Sequence, residues 1–101
     1  MTNEADLQRY INADLRKHGI KFYHVEKGRH HKNNHNKGQP DLAIFHKGGV
    51  FFTELKWGNG QLRREQIEFQ TWAIENGYHF YVARTVEEWN VIKLCEGLVI
   101  I

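Results

Sequence analysis

The 101-residue chain is 41% hydrophobic and 26% charged with a formal net charge of +2, a balance that suits one globular domain and leaves no room for a second core. A single cysteine, Cys95, excludes an internal disulfide and points to a reducing compartment. No run is apolar enough to span a bilayer and the polar N-terminus has no signal segment, so neither a membrane partner nor secretion is expected.

The first element is a helix. Thr2 or Asn3 can cap it, Leu7, Tyr10, Ile11 and Leu15 form an apolar stripe at helical spacing, and it is expected to run to about His18 with Gly19 as its stop. "IKFYHVE", from Ile20 to Glu26, reads as a strand. "KGRHHKNNHNK" follows, with Lys27, Arg29, Lys32 and Lys37 beside His30, His31 and His35, and neither an acid nor an apolar side chain. Such a stretch is costly to bury and reads as a solvated, flexible basic loop over 27–38. It is either a plain linker or a surface that meets phosphates. A zinc site is the third reading, but the histidine spacing fits no common ligand pattern. The phosphate reading is preferred, because mixed Lys, Arg, Asn and His suit a polyanion.

"DLAIF" and "VFFTELKW" read as two strands joined by "HKGG". If the turn closes at Lys47-Gly48, His46 pairs with Gly49, Phe45 with Val50, and Asp41 falls opposite Glu54. Opposed residues share a face with Cβ atoms about 4.5–5.5 Å apart. Two carboxylates held that close among apolar neighbours repel, so one is protonated or a cation lies between them. A hard divalent ion with oxygen ligands answers the need. Lys56 lies on the same face; it has no lone pair for a metal and is fit to orient a water or meet a phosphate oxygen. The plainer alternative has Asp41 capping a strand and Glu54 exposed on an edge, paired with Lys56. Against it stand Pro40, the only proline, which ends pairing where Asp41 begins, and the apolar surroundings.

A second helix is expected from about Gln61 to Asn76, ending at Gly77, with Leu62, Gln66, Phe69 and Ala73 facing inward. Gln66 interrupts that face and needs partners, and Gln70 lies beside it. "YHFYVAR", Tyr78 to Arg84, is a further strand. Thr85 with Glu88 forms a capping box for a short third helix from Val86 to about Lys93. The element order is α-β-β-β-α-β-α. The chain ends Leu98-Val99-Ile100-Ile101, an apolar tail that wants cover and suggests a last edge strand or half of a symmetric interface.

Pro40-Asp41 followed by Glu54-Leu55-Lys56 resembles the PD-(D/E)xK nuclease motif. "GQPDLAIF", "FFTELKW", "GNGQLRREQIEFQ" and "NGYHFYVARTVEEW" in succession resemble, more narrowly, the VRR-type nuclease domain, over nearly the whole chain from Asn3 to about Trp89. The resemblance implies a single nuclease domain over 1–101 with an α/β, restriction-endonuclease-like core, a central mixed sheet flanked by helices. It implies Mg²⁺ or Mn²⁺ dependence, DNA phosphodiester hydrolysis resembling that of Holliday junction resolvases, a homodimer, and a cytoplasmic setting in a phage or bacterium. Carried over, Asp41, Glu54 and Lys56 form the catalytic set, and Gln66 stands at its edge. Glu4 joins Asp41 and Glu54 as a metal ligand, with the Leu55 carbonyl as a further candidate. By spacing, Glu4 falls on the stripe of Leu7 and Ile11 and would point where they point; as a first-turn acid it is equally suited to the helix dipole. Arg63 and Arg64 join Lys27, Arg29, Lys32 and Lys37 as candidate contacts to DNA, or serve only solubility. Two other functions remain open: the same fold acting on linear duplex, single strands or RNA, and a nucleic-acid-binding module without catalysis.

Overall fold

Asn3 starts the first helix. Its Oδ1 accepts from the Asp6 N–H at 2.9 Å, satisfying one of the donors that a helix N-terminus leaves open. In the computed structural model, which describes residues 3–24 and 38–98, helix α1 spans Glu4–Lys17 and stops at His18 before Gly19, whose φ is +68°. Strand β1 (Phe22–His24) begins two residues after Ile20, and Val25 and Glu26 of the expected strand lie outside the described residues. Strands β2 (Leu42–His46) and β3 (Gly49–Leu55) form the hairpin, helix α2 spans Arg64–Glu75, strand β4 spans His79–Ala83 and helix α3 spans Val86–Glu96. The basic residues Lys27, Arg29, Lys32 and Lys37 and the tail Val99–Ile101 lie outside the described residues.

The four strands make one mixed sheet in the order β1-β2-β3-β4, antiparallel except where β4 runs parallel to β3. A parallel neighbour requires a crossover, which α2 supplies. The hairpin pairs His46 with Gly49, Phe45 with Val50 and Leu42 with Thr53, the register the turn predicts. Lys47 and Gly48 both take positive φ, 50° and 78°, the signature of the type I′ turn whose twist matches the strands.

Each sheet face carries helices. Leu7, Ile11 and Leu15 of α1 with Trp89 and Ile92 of α3 close over Leu42, Ile44, Phe51, Leu55 and Ala83, all buried. Each large side chain so removed from water contributes about 1.5–3 kcal/mol. Asp14 ties the two helices across this layer: it accepts from the Trp89 indole at 2.9 Å and the Lys93 ammonium at 2.7 Å. On the other face α2 packs through aromatic rings, Phe69 lying 5.1 Å from Phe52 and 6.3 Å from Phe80.

Two boundaries moved for identifiable reasons. Helix α2 starts at Arg64 and not Gln61, because the Arg63 N–H is taken by the Gln66 side chain at 2.7 Å, which fixes Arg63 as the cap. Helix α3 runs three residues past Lys93 to Glu96, until Gly97 takes the left-handed conformation that ends it. Thr85 caps α3 as expected, its Oγ1 accepting from the Glu88 N–H at 3.1 Å, but the Glu88 carboxylate turns to the Arg84 N–H. Among the described residues no helix is long and apolar enough to cross a membrane.

Candidate functional site

The site grows out of the end of the β2–β3 ladder. Leu42 and Thr53 are the last paired residues, and Asp41 and Glu54 follow in the same register. Pro40, buried, offers no N–H, so pairing stops there. In place of a backbone bond, Asp41 Oδ2 accepts from the Leu55 N–H at 2.8 Å. Asp41 thus does cap the strand, as the plainer alternative held. Glu54 does not follow that alternative: β3 is interior, between β2 and β4, and Glu54 is 1% exposed. Its cross-strand neighbour on β4 is Val82, and by alternation it shares the face of Phe52 that α2 covers.

The Leu55 carbonyl can be placed from its own N–H. The Leu55 N–H points toward Asp41, and the next one, of Lys56, points the other way to the Ala83 carbonyl at 3.1 Å. A strand residue turns its N–H and C=O to the same side, so the Leu55 carbonyl faces the Asp41 edge just past the first residue of β2. Lys56 is half-buried there.

Helix α2 begins over this same end of the sheet, because the crossover returns from the C-terminal end of β3. Its N-terminus carries the positive end of the helix dipole. Gly38 packs on its first turn so closely that a Cβ built there would lie 2.6 Å from the Glu65 carbonyl oxygen. With φ at +86° as well, position 38 admits only glycine without strain. The sequence offered one signal of this, a glycine two residues before the only proline, and the contact with Glu65 could not be read from it. Gln66, 4% exposed, is the buried amide the stripe predicted; its oxygen takes the Arg63 N–H and its nitrogen makes no hydrogen bond among the described residues. Arg63 and Arg64 are exposed, Arg64 bonding Glu68 at 3.2 Å.

Glu4 departs from expectation. It opens α1 but is exposed, while Leu7 and Ile11 on the same stripe are fully buried. Among the described residues no three His, Cys, Asp or Glu side chains come together as a metal-holding group. The structure brings Asp41, Glu54, Leu55 and Lys56 to one end of the hairpin and sets Gln66 at the start of the helix above it. No family model, curated protein or solved structure matches this chain.

Two other polar clusters are structural by geometry. Tyr81 and His79 both meet Glu96 Oε2, at 2.6 and 2.5 Å; burial together with that carboxylate raises the Tyr81 phenol far above its ordinary value. Asp14 is opposed by burial, but the hydrogen bonds from Lys93 and Trp89 and the charges of Lys93 and His18 outweigh it and hold its carboxyl below the usual range. A groove of about 810 Å³, lined by Lys21, Phe45, His46, Lys47 and Tyr78 among others, opens at the turn end of the hairpin, opposite the acids.

Proposed function

We propose that the chain is a divalent-metal-dependent nuclease of the PD-(D/E)xK type, built on a restriction-endonuclease-like core and hydrolysing phosphodiester bonds in DNA. The observation that carries this reading is a buried interior-strand carboxylate, Glu54, in register with Asp41 and followed two residues on by Lys56. A domain that needs only stability gains little from an acid in that place, since burying a carboxylate is costly unless it is compensated.

The donor set fits a hard ion. Asp41 and Glu54 with the Leu55 carbonyl are all oxygen ligands, and Mg²⁺ is commonly held by one or two carboxylates with water completing its shell. A third protein carboxylate from Glu4 is then not required, although it remains a candidate as the first-helix acid. The chemistry such an ion supplies is Lewis acidity, which acidifies water and polarises a phosphoryl oxygen. The chain's own groups do the rest. Asp41, fixed by the Leu55 N–H, and Glu54, fixed by burial, hold their oxygens in place without reorganisation. Lys56 donates to phosphate oxygens as charge builds on them. Gln66 presents an amide N–H₂ at the edge, and Arg63 and Arg64 meet flanking backbone. A homodimer would give two sites for two strands. Apolar surface on α2 and α3, Ile67, Ile74, Val91 and Leu94, is consistent with an interface, and light scattering tests it.

A second reading is favoured by one observation: Asp41 already has a structural bond to Leu55, and among the described residues no group of three metal-ligating side chains forms. On that reading the domain binds nucleic acid without cutting it. One experiment separates the two. Purified protein is incubated with linear, nicked, flapped and four-way DNA, and with RNA, in Mg²⁺, Mn²⁺ or EDTA. Cleavage that needs metal and disappears in Glu54→Gln supports the nuclease. Binding without cleavage of any substrate supports the module.

A further inference from the structure

Of the three tryptophans, two are occupied within the fold. Trp89 is fully buried with its indole N–H on Asp14, and Trp72 stacks on Tyr78 at 5.7 Å with the planes 21° apart. Trp57 is 38% exposed, and no ring or cation stacks on it among the described residues. It directly follows Lys56, at the end of the hairpin that carries Asp41 and Glu54.

The loop that presents Trp57 is fastened. The Gly60 N–H donates to the Trp57 carbonyl at 3.3 Å, closing a turn in which Gly58 has φ of +60°. Arg84, from the end of β4, donates through Nη1 to the carbonyls of Gly58 at 3.0 Å and Gly60 at 2.6 Å. The Lys56 N–H is bonded to Ala83 on the same strand end. A guanidinium committed to two loop carbonyls holds the turn as a platform, so the indole meets a ligand already oriented. Along the chain between Glu54 and Glu65 the charge has one sign: it reads "LKWGNGQLRR", with Lys56, Arg63 and Arg64 and no acid.

We propose that Trp57 is a stacking platform for one unpaired nucleobase of a strand whose backbone runs past Lys56 toward Arg63. An aromatic face bracketed by cations matches a polymer that alternates a flat base with a phosphate, and base–aromatic stacking tolerates any sequence because every base has a π-face. A base inside a continuous duplex is already stacked and cannot reach the indole, so the platform selects strands with an unpaired base. This rests on reading the site as one that meets a nucleic-acid backbone.

The test uses the full chain in EDTA, so that nothing is cut, with oligo-dT and a blunt duplex as probes, read by fluorescence anisotropy and by tryptophan emission. Trp57→Ala is expected to weaken oligo-dT binding by about tenfold, the order of one lost stack. Trp57→Phe keeps a π-face and should stay within about threefold, and blunt-duplex affinity should hardly change. Oligo-dT should quench wild-type emission, and the quench should vanish in Trp57→Phe. Equal oligo-dT affinity in wild type and Trp57→Ala overturns the proposal, as does a loss shared equally with duplex or no binding of oligo-dT by the wild type. The nuclease reading fails separately: a protein that cuts nothing with metal but binds oligo-dT through Trp57 keeps this inference and loses that one.

Discussion

Glu54 near the end of β3 and Lys56 just past it serve different parts of the proposed chemistry. Lys56 is assigned to the charge that develops on phosphate, not to the ion, so Lys56→Ala should lower turnover by about 10²–10³ while Mn²⁺ affinity by calorimetry stays near wild type. An active Lys56→Ala protein would reduce the ammonium to a surface group. Asp14 allows a prediction at the same scale that does not depend on function. Its carboxyl titrates below the ordinary carboxylate value when folded, so its contribution is fully present above about pH 4 and is lost as pH falls through the folded value. Asp14→Asn keeps an acceptor for Trp89 but loses the charge facing Lys93, and should cost about 2 kcal/mol at neutral pH. Urea melts at several pH values check both points: the gap between wild type and variant should narrow on acidification below pH ~4.

At the scale of elements, the 38–41 segment is held from both ends, by Gly38 against α2 and by Asp41 against β3. Gly38→Ala combines a left-handed backbone with a clash at Glu65 and should cost about 2–4 kcal/mol. Gly19→Ala is the control: its φ is +68°, but nothing lies within 4 Å of a Cβ built there, so only the backbone term of about 1–2 kcal/mol applies. Thermal melts of the two variants isolate the close approach. These elements also mark what the sequence could disclose. The hairpin register was legible because a Lys-Gly turn and strict alternation leave one pairing that buries Ile44 and Phe51 together. Gln66 was legible as a buried amide, but its bond to the N–H of the cap Arg63 was not, because periodicity alone extended the helix back to Gln61. Spacing placed Glu4 on the stripe of Leu7 and Ile11, but it could not tell that Glu4 is exposed where they are buried. Gly38 was silent because its constraint comes from Glu65, distant in sequence.

For the whole molecule, the basic stretch over 27–37 lies between β1 and β2 in the chain and ends four residues before Asp41, at the start of β2. If Lys27, Arg29, Lys32 and Lys37 meet phosphates, each contact adds about −0.9 to the slope of log affinity against log salt. Replacing two of the four by alanine should flatten the slope by roughly two units, read by anisotropy in metal-free buffer. Identical slopes would move the backbone contacts to Arg63 and Arg64 on α2. Turnover at saturating DNA should survive the change, since the chemistry is assigned to the hairpin end.

The bond between Asp14 and Trp89 joins residues 75 apart, and the one to Lys93 spans 79, whereas the hairpin and the start of α2 that form the candidate site are neighbours along the chain. During synthesis, the site's framework would therefore leave the ribosome long before the contacts that close the core. A nascent chain halted soon after Glu75 holds both acids and the whole of α2 but lacks β4, Trp89 and Lys93. The hairpin can pair early because its loop is short, while the ends meet only after a long closure. Arrested chains of increasing length, probed by proteolysis, should become resistant in one step once α3 has emerged, and not in two stages with the site first.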